Sequence, residues 1–506
     1  MSGPFGGDRI CAVVAAPTAR EAKRQFLLAQ AGAQTTELRL DYLRDDRERT
    51  SFLAWLRTWR IRPGKTRIAT CRSRQSGGLF TGSVRQQIGW LGRAVEAGCA
   101  WCDIEVETAA RISAEELRHA LAPASLIISH HDFRRTPGNL ASIMRLLSWA
   151  GGDAIKIATQ CNSVRDSLRV LNLARGRRDF IAVPMGEEGL PARVLALRSG
   201  SALAYAAVDR ATAPGQLSLT EMRDLYRADR LDRATRVYGV IGDPIRQSLG
   251  PVLHNIAFRA RGVNAVFLPF LVRKLEDFLS AIGPLGIRGI SVTRPHKERI
   301  LRHLDGCDPL AARIGAVNTV VVRSGGRLYG YNTDYIGVLR SLERRTRLRG
   351  SRVLLLGAGG AARAAAFALV QAGAVVSICS RRPRRARALA RAAGGEAIAR
   401  AHLGDEFFDA IVNCTPVGMV SCPGIPVPMK QLNCRLLMDM IYRPGDTELL
   451  RRARRRGIET ISGLEMFLAQ GFAQYEIWTG ERAPEAAMRR AVVAALDRAE
   501  GARRSS

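Results

Sequence analysis

The sequence predicts an α/β protein with a (β/α)8 barrel in its first half and a dinucleotide-binding region in its second half. Eight apolar strand-like runs alternate with helical patterns over the first half. In the second half an apolar strand runs into a glycine-rich turn and the start of a helix. A chain of 506 residues is also too long for one hydrophobic core, so at least two domains are expected.

The stretch over residues 211–244 separates the two halves. It holds the loop Ala213-Pro214-Gly215-Gln216, then charged residues at helical spacing without a sizeable apolar run, and finally a fresh apolar strand at 236–241. Such a composition is typical of a surface helix and connector. We therefore expect a first domain over residues 1–226 and a linker over residues 227–235.

Basic residues are in large excess, and the formal net charge is +31. This balance raises the possibility of a nucleic-acid or membrane partner. The arginine runs at 381–385 and 451–456, however, show no interleaved aromatic residues and no helix-turn-helix or zinc-finger spacing beside them. Solvated helix faces are therefore favoured, without a nucleic-acid partner. A nucleic-acid-binding protein on a degenerate enzyme scaffold is the alternative from another functional class.

The ten cysteines show no framework spacing, and Cys99-Ala100-Trp101-Cys102 is a lone CxxC without a second pair, which favours reduced thiols in the cytoplasm and a strand rather than a zinc or redox site. The apolar run at 10–16 is short and follows Asp8-Arg9, so it predicts a strand rather than a signal peptide. No run is long enough to span a bilayer. We therefore expect a cytoplasmic protein without a membrane partner, and the sequence leaves its oligomeric state open.

Lysine is rare in this chain, and its positions are therefore informative. Arginine stays protonated in proteins, whereas burial or neighbouring charge can convert a lysine to a neutral amine. Lys156 and Lys297 lie inside a strand or a dense polar motif and are candidates for chemistry. The lysines of the chain are Lys23, Lys65, Lys156, Lys274, Lys297 and Lys430.

The expected barrel strands carry polar residues in them or just after them. The predicted strands are at 10–15, 36–41, 67–71, 101–106, 126–130, 154–158, 180–184 and 203–208. In such barrels chemistry collects at the carboxyl ends of the strands, so these polar residues should converge on one mouth. They are Glu37, Arg39, Arg72, Glu105, His131, Lys156, Arg193 and Gln216.

Lys156 is the expected nucleophile of the barrel. A buried lysine among basic neighbours can act as a neutral amine and form a Schiff base with a ketone. His131, at the end of a neighbouring strand, is the natural general acid and base. Arg39, Arg72 and Arg193 have the fork geometry that suits a substrate carboxylate.

The first half resembles the type I 3-dehydroquinate dehydratases. The matching motifs are Glu37-Leu38-Arg39-Leu40-Asp41, Thr70-Cys71-Arg72, Ser129-His130-His131-Asp132-Phe133, Lys156-Ile157-Ala158 and Ala213-Pro214-Gly215-Gln216. The resemblance implies that Lys156 forms an iminium with the C3 ketone of 3-dehydroquinate, and that His131 removes the C2 proton and assists departure of the C1 hydroxyl. It also implies substrate binding by the polar residues named above together with Thr212.

Two neighbours of these motifs need comment. Of the two adjacent histidines, His131 matches the catalytic position, and His130 should point to the other side of its strand. The chain has Ser76 where the dehydratase family usually has glutamate, and Thr212 replaces a common serine while keeping the hydroxyl. Neither departure touches the pair of Lys156 and His131.

The second half carries a dinucleotide fingerprint at residues 351–363. Its GxGxxA turn consists of Gly357, Ala358, Gly359, Gly360 and Ala361, and such a turn places a pyrophosphate on a helix N-terminus. The next strand ends in Ser380, Arg381 and Arg382 rather than in an acidic residue. Arginine there suits a 2′-phosphate, so the expected cofactor is NADP. The alternative is an arginine that merely reflects the overall composition.

The second half as a whole resembles shikimate dehydrogenase. The matching motifs include Gly242-Asp243-Pro244-Ile245-Arg246-Gln247-Ser248, Ser291-Val292-Thr293-Arg294-Pro295-His296-Lys297, Gly315-Ala316-Val317-Asn318-Thr319, Asn332-Thr333-Asp334, Asn413-Cys414-Thr415-Pro416, Asp439-Met440-Ile441-Tyr442 and Gly463-Leu464-Glu465-Met466 running on to Gln470. The resemblance implies a mixed α/β substrate domain over 236–338, a Rossmann domain over 339–464, and C-terminal helices with a basic tail over 465–506.

The shikimate dehydrogenase resemblance also implies residue roles. Lys297 and Asp334 form the catalytic pair at the ketone that NADPH reduces. The substrate-binding residues it implies are Ser248, Thr293, Asn318, Tyr442 and Gln470. The cofactor contacts it adds are Thr415, Gly463 and Met466.

The chain departs from the dehydrogenase pattern at three positions. Gly250 stands where a second substrate-binding serine is usual, Arg294 stands where an apolar residue is usual, and Ser380 replaces a common asparagine.

Together, the two resemblances imply a bifunctional shikimate-pathway enzyme, a dehydratase followed by an NADPH-dependent dehydrogenase. Because Gly250 also occurs in relatives that favour quinate, a quinate/shikimate dehydrogenase fusion is the alternative function.

Overall fold

The computed structural model describes residues 4–5, 9–209, 213 and 215–504, with side chains up to residue 499. The chain forms two compact units by its contacts. The first comprises residues 1–236 and 264–286, and the second comprises residues 237–263 and 287–506.

The first unit contains the eight parallel strands of a barrel, whose sheet order is β7-β6-β5-β4-β3-β2-β1-β8. The strands are β1 (Ile10–Val14), β2 (Thr35–Arg39), β3 (Thr66–Thr70), β4 (Trp101–Glu105), β5 (Ser125–Asp132), β6 (Ala154–Gln160), β7 (Phe180–Met185) and β8 (Ala204–Ala207). Seven of them, all except β5, are buried along nearly their whole length, as parallel strands covered on both faces should be. The predicted (β/α)8 barrel is confirmed.

Helices follow the barrel strands and cover their outer faces. They are α1 (Ala19–Gly32), α2 (Asp46–Thr58), α3 (Val84–Glu96), α4 (Val106–Ala109), α5 (Ala114–Leu121), α6 (Leu140–Trp149), α7 (Val164–Asn172) and α8 (Leu190–Ser199). Polar side chains start several of them: Thr18, Asp45, Ser83, Ser113 and Ser163 each accept a backbone N–H of the first helical turn. Such N-caps fix where each helix begins.

The barrel has a seam between β7 and β8, the two ends of the sheet order. Within the described residues the backbone bridges this seam by one hydrogen bond, from Ala202 N to Phe180 O at 2.7 Å. The hydroxyl of the buried Ser201 accepts the N–H of Ala182 at 2.9 Å and donates to the carbonyl of Leu203 at 2.7 Å. The side chain of Ser201 therefore supplies a hydrogen bond across this seam, whereas backbone hydrogen bonds join the other neighbouring strands of the barrel.

The connector after the barrel differs from the exposed surface helix that its charged composition predicts. It forms only short turns, at 221–225 and at 228–230. Met222, Tyr226, Ala228 and Leu231 are buried, and the second turn packs against α8. The composition misled the prediction because a few well-spaced apolar residues suffice to hold a short segment against a barrel helix.

The remaining strands and helices follow the connector. The strands are β9 (Arg236–Gly242), β10 (Ala265–Leu271), β11 (Ile287–Val292), β12 (Gly306–Cys307), β13 (Thr319–Val322), β14 (Leu328–Tyr331), β15 (Arg352–Leu356), β16 (Val375–Cys379), β17 (Glu396–Ala397), β18 (Phe408–Asn413), β19 (Cys434–Asp439) and β20 (Glu459–Ile461). The helices are α9 (Gly250–Ala260), α10 (Leu275–Leu279), α11 (Ile282–Leu285), α12 (His296–Arg299), α13 (Pro309–Ile314), α14 (Thr333–Glu343), α15 (Gly360–Gln371), α16 (Pro383–Ala393), α17 (Glu448–Arg454), α18 (Gly463–Thr479) and α19 (Glu485–Arg504). The elements β10, α10 and α11 lie in the residues assigned to the first unit.

The second unit holds two different sheets. In the first, the strands β9-β11-β13-β14-β12 are neighbours in that order, with parallel pairs at both ends and antiparallel pairs around β13. In the second, the all-parallel order β17-β16-β15-β18-β19-β20 is that of a Rossmann fold. Helix α18 packs against α9, α14 and the first sheet. The predicted mixed sheet and Rossmann sheet are both confirmed.

The arginine run at 451–456 lies among acidic side chains. In α17, Arg451 and Arg452 both pair with Glu448, and Arg454 pairs with Asp446. These pairs are largely exposed and give the helix a solvated charged face. Within the described part of the chain, no helix combines the length and the apolar character needed to cross a membrane.

Candidate active sites

The carboxyl ends of the barrel strands surround a cavity, here called the barrel cavity. Seven of the predicted polar residues line it: Glu37, Arg39, Arg72, His131, Lys156, Arg193 and Gln216. Apolar and aromatic side chains, among them Phe133, Met185 and Tyr205, complete its wall. The side chains come from widely separated parts of the chain because parallel strands bring their carboxyl ends together.

Lys156 lies at the base of this cavity between two carboxylates. Its Nζ is 2.8 Å from Oδ2 of Asp103 and 3.5 Å from Oε1 of Glu37. All three side chains are buried. The prediction of basic neighbours around Lys156 is therefore wrong for the groups that contact its amine directly, because strands β2 and β4 each point an acidic side chain at it.

Arg72 links the lysine environment to His131. Its guanidinium is 2.9 Å from Oδ1 of Asp103 and 3.0 Å from Nδ1 of His131. Because arginine can only donate, Nδ1 is the acceptor of this contact and a neutral imidazole carries its proton on Nε2. Burial, with the charges of Arg72 and Lys156 nearby, holds the pKa of His131 well below 6.5. His131 is therefore a neutral base at physiological pH.

The charge of Asp103 is set by the same two cations. Burial opposes ionisation of this carboxyl, but the charges of Arg72 and Lys156 outweigh it and hold its pKa far below the ordinary 3.8. Ser129 also donates to Oδ1 at 2.7 Å. Asp103 is therefore a permanent anion that orients both a predicted carboxylate binder and the predicted nucleophile.

The other arginines of the barrel cavity are held differently. Arg39 makes a two-pronged contact with Asp41, at 2.9 and 2.7 Å, which fixes the plane of its guanidinium. Arg193 is not at a strand end as the sequence suggested but in α8, from which its buried side chain reaches the cavity. Burial lowers its pKa to about 10. Both guanidinium groups line the barrel cavity, where their forked donors suit an anionic substrate.

Glu105, predicted to bind substrate, does not line the barrel cavity. Its carboxylate accepts the N–H of Ser73 at 2.6 Å and the side-chain amide of Gln87 at 2.7 Å. These contacts anchor the loop after β3, which carries Arg72. Glu105 is at the end of β4, where Gln87 of α3 contacts it, so the geometry gives its carboxylate a loop-anchoring role, and direct substrate contact stays a prediction.

The remaining predictions for the first half divide into two groups. Thr212 lies outside the described residues. His130 points away from the cavity, with its Nδ1 3.6 Å from Oε1 of Glu107. Ser76 also faces Glu107, at 3.5 Å between Oγ and Oε2. The structure thus places His131, and not His130, beside Lys156.

In the second unit, Lys297 and Asp334 form an ion pair with 2.5 Å between Nζ and Oδ2. Lys297 is in the short helix α12 and Asp334 is in the first turn of α14. The side-chain amide of Asn318 donates to the other oxygen of Asp334 at 2.8 Å. Asn318 in turn accepts the N–H of Thr333 at 2.6 Å. The lysine is one-third exposed and so remains accessible to a substrate.

The other predicted substrate residues surround this pair on loops and on α18. Ser248 and Thr293 follow the neighbouring parallel strands β9 and β11, so both lie at the same sheet edge as Lys297. The hydroxyl of Ser248 accepts the N–H of Gly250 at 3.2 Å. The hydroxyl of Thr333 is 3.4 Å from Oε1 of Gln470. Tyr442 stacks on Phe467 of α18, with 5.0 Å between the ring centroids.

A second cavity, here called the nucleotide cleft, opens at the carboxyl edge of the Rossmann sheet and measures about 270 Å³. Of the predicted cofactor residues, those lining it are Gly357, Ala358, Gly359, Ser380, Arg381, Arg382 and Thr415. Gly360 and Ala361 form the first turn of α15 behind them. Gly463 and Met466 do not line the cleft; a Cβ on Gly463 would lie 2.4 Å from the backbone of Ile441, so this glycine serves close packing.

The residues of the nucleotide cleft fit a phosphorylated dinucleotide. Gly357 has a φ of 118°, which favours glycine, and a Cβ on Gly359 or Gly360 would stand in open space in front of α15. That space leaves the backbone N–H groups of the helix start accessible to a pyrophosphate. Arg385 and Arg400, which the sequence analysis did not single out, join Arg381 and Arg382 along one wall.

Comparisons with known proteins agree with both halves. The family model for type I 3-dehydroquinase matches residues 10–233, the model for the shikimate dehydrogenase substrate binding domain matches residues 240–320, and the model for the shikimate 5′-dehydrogenase C-terminal domain matches residues 463–493. The chloroplastic bifunctional 3-dehydroquinate dehydratase/shikimate dehydrogenase of Arabidopsis thaliana is 34% identical over 479 residues, which are 90% of this chain and 79% of that protein.

The chain belongs to the bifunctional 3-dehydroquinate dehydratase/shikimate dehydrogenase family. Its second half is also 44% identical over 268 residues to the NADP(+)-dependent shikimate dehydrogenase of Thermococcus kodakarensis, covering 52% of this chain and 97% of that enzyme. A crystal structure of the Thermus thermophilus shikimate 5-dehydrogenase in complex with NADP(H) and shikimate is 36% identical, with a TM-score of 0.48; it covers 52% of this chain and 100% of that chain.

Family membership confirms the predicted bifunctional enzyme, a lyase joined to an NADP-dependent oxidoreductase. The alternative of a quinate/shikimate dehydrogenase fusion is not favoured, since the curated relatives over the second half are named shikimate dehydrogenases. Sequence reasoning missed Asp103, Arg385 and Arg400 in the dehydratase and dehydrogenase sites. Asp103 could have been found, because it lies two residues before Glu105 in β4, and side chains two residues apart point to the same face of a strand.

Proposed function

We propose that the barrel cavity dehydrates 3-dehydroquinate through a Schiff base on Lys156. The observation that carries this proposal is the buried Nζ of Lys156 facing a polar cavity, 2.8 Å from Asp103 and linked through Arg72 to His131. The amine of Lys156 attacks the C3 ketone, and the carbonyl oxygen leaves as water to give the iminium. The iminium then draws electrons away from C2, which makes the C2 proton removable by a nearby base.

His131 is the base in this proposal. Its depressed pKa keeps it neutral, and once protonated it can return the proton to the C1 hydroxyl as that group leaves. Arg39, Arg72 and Arg193 hold the substrate carboxylate and hydroxyls, with Gln216 and Glu37 as further polar residues of the cavity. When the substrate carboxylate engages Arg72, the guanidinium is drawn from Nδ1 of His131 and the imidazole is freed to take a proton.

We propose that the second site reduces 3-dehydroshikimate to shikimate with NADPH. NADPH, when bound in the nucleotide cleft, supplies hydride to the ketone carbon. Lys297 lies against Asp334 and can donate a proton to the ketone oxygen, while Asp334 and Asn318 hold the ammonium in place. Ser248, Thr293, Tyr442 and Gln470 surround the substrate.

The arginine wall of the nucleotide cleft selects the cofactor in this proposal. Ser380 accepts the N–H of Arg382 at 3.3 Å, which shapes the turn after β16. Arg381 and Arg382 then face the 2′-phosphate of NADPH, a group that NADH lacks. Thr415 is oriented by Asn413, which accepts both its N–H and its hydroxyl, at 3.0 and 2.7 Å.

A coupled assay tests the two activities together. The enzyme, 3-dehydroquinate and NADPH should give loss of NADPH absorbance without any added enzyme. Lys156→Arg should abolish this coupled reaction but leave reduction of added 3-dehydroshikimate intact, since arginine cannot serve as the nucleophilic amine. Lys297→Ala should stop NADPH loss in both assays, while 3-dehydroshikimate accumulates from 3-dehydroquinate. The assignment is contradicted if Lys156→Arg keeps the coupled reaction or loses reduction of added 3-dehydroshikimate, or if Lys297→Ala forms no 3-dehydroshikimate.

We further propose cytoplasmic localisation and the domain boundaries at 226, 235, 338 and 464. The ten cysteines are free thiols, which suits a reducing compartment. A fragment ending near Arg230 should retain dehydratase activity, and one starting near Asp232 should retain dehydrogenase activity. Insolubility of either fragment beside a well-folded whole chain would move the boundary.

A further inference from the structure

Tyr205 in β8 carries a buried hydroxyl that has no role in the catalytic steps proposed above. The side chain is 7% exposed and lines the barrel cavity. Its hydroxyl oxygen has no hydrogen-bond partner among the residues that the structure describes. A buried hydroxyl without a partner costs folding free energy, so such a group is retained where a ligand completes it.

The ring of Tyr205 lies directly against the nucleophile. The Nζ of Lys156 is 4.1 Å from the ring centroid. The carboxylates nearby are already engaged: Asp103 contacts Arg72 and Lys156, and Glu37 accepts the hydroxyl of Thr70 at 2.8 Å. Burial, and then the charges of Glu37 and Asp103, raise the pKa of Tyr205 well above 10, so the phenol keeps its proton and can only donate or accept hydrogen bonds.

We propose that the Tyr205 hydroxyl donates a hydrogen bond to the substrate oxygen on the carbon that Lys156 attacks. The inference rests on the proposed Schiff-base reaction. The attacked carbon becomes bonded to Nζ, so its oxygen lies two bonds from an atom that already contacts the tyrosine ring. The hydroxyls on other ring carbons of the substrate are farther from Nζ.

The step that Tyr205 assists is balanced without any further reagent. The lone pair of the Lys156 amine forms the C–N bond while the carbonyl π electrons move to oxygen, where the Tyr205 hydrogen bond stabilises the developing charge. Before this attack the Lys156 ammonium gives one proton to the carboxylate of Glu37, 3.5 Å away. That proton and one proton from the nitrogen then pass to the oxygen, and the C–O bond breaks to release water. An ammonium and a ketone thus become an iminium and water, and Tyr205 is unchanged at the end.

The variant Tyr205→Phe removes only the oxygen atom and tests the inference. Rapid-quench trapping with borohydride should show formation of the Lys156 adduct slowed by about tenfold, the effect expected for one lost hydrogen bond to a developing charge. The kinetic isotope effect with substrate deuterated at C2 should fall towards one, because an earlier step becomes slower than proton removal. The melting temperature should stay the same or rise, since the lost hydroxyl has no partner in the free enzyme.

Tyr226→Phe is the matched control, because Tyr226 is a buried tyrosine of the same unit that does not line the barrel cavity. It should leave adduct formation unchanged, and dehydrogenase activity in the same chain reports that either variant is folded. Adduct formation at the unaltered rate with an unaltered isotope effect in Tyr205→Phe would overturn the inference. Absence of any Lys156 adduct in the unaltered enzyme would contradict the Schiff-base reaction itself, and the inference with it.

Discussion

Oδ2 of Asp103 lies 2.8 Å from Nζ of Lys156, while its other oxygen lies 2.9 Å from the guanidinium of Arg72. One buried carboxylate thus joins the proposed nucleophile to a proposed substrate-binding residue. Because all three groups are buried, their charges act on one another with little screening by water.

We therefore expect Asp103→Asn to weaken both functions at once. The change leaves Arg72 buried without its partner, and breaking a buried ion pair costs about 3–5 kcal/mol. Dehydratase kcat/KM should fall by at least about tenfold, and the urea midpoint of the barrel should drop. The control Asp209→Asn removes the exposed ion pair with Arg24 and should change neither quantity appreciably. Full dehydratase activity in Asp103→Asn would show that Asp103 has no part in aligning Lys156.

Cofactor choice is expected to depend on Arg381. In Arg381→Ala the KM for NADPH should rise about ten- to a hundredfold, because a charge-assisted hydrogen bond contributes about 1.5–3 kcal/mol. The KM for NADH should change little, since NADH has no 2′-phosphate. Arg384→Ala, an exposed arginine of α16 outside the nucleotide cleft, is the control. Equal changes for the two cofactors would make Arg381 a surface charge only.

His254 should make the second unit sensitive to acid. Burial lowers the pKa of His254 to about 3, although the contact with Gln474 at 3.2 Å opposes the shift. Between pH 6.5 and about 3 the unfolded chain binds a proton at this residue that the native state does not. Stability must therefore fall as the pH falls through this window, by about 1.4 kcal/mol per pH unit.

The test compares urea unfolding of the unaltered chain and of His254→Asn at pH 7 and pH 5. Loss of dehydrogenase activity marks unfolding of the relevant unit. The variant should show a shallower dependence on pH, whereas His402→Asn, at an exposed histidine, should match the unaltered chain. The same pH dependence in all three proteins would assign the acid sensitivity to other groups.

Gly250 is expected to tune the choice between shikimate and quinate. It is the first residue of α9, and its N–H binds the hydroxyl of Ser248. Gly250→Ser should restore a second hydroxyl beside the substrate carboxylate and fill space near C1, where quinate carries a hydroxyl. The ratio of kcat/KM for shikimate to that for quinate should rise about tenfold. An unchanged ratio would leave Gly250 with the simpler role of easing the turn before Pro251.

The sequence predicts the two motifs that carry Lys156 and Lys297 well, and it predicts the contacts of these lysines poorly. Lys156 and Lys297 stand out because lysine is rare in this chain and because each lies in a recognisable motif. Asp103 and Glu105 lie on the same face of β4, yet Asp103 contacts Lys156 and Glu105 contacts Gln87 of α3. Periodicity gives the face of a strand but not the depth at which a neighbouring helix covers it. That information depends on packing between segments far apart in sequence.

Arg400 illustrates the same limit in the Rossmann half. It follows β17 as one more arginine in an arginine-rich chain, and no local pattern distinguishes it from solvated neighbours. Only the parallel order of β17, β16 and β15 brings the segment that carries Arg400 to the nucleotide cleft, which Arg381 also lines. The connector was misjudged for a related reason, since its few apolar residues are noticed only when α8 is in place to receive them.

At the seam between β7 and β8, within the described residues, the continuity of the barrel depends on one backbone hydrogen bond and on the hydroxyl of Ser201. A ladder of backbone hydrogen bonds survives almost any substitution, because every residue except proline brings the same donor and acceptor. A side-chain bridge has no such redundancy, so one codon change to alanine at Ser201 would leave the N–H of Ala182 without its acceptor. Among the strand junctions of the barrel, the one between β7 and β8 is therefore the one that depends on the identity of a particular side chain and not on backbone geometry alone.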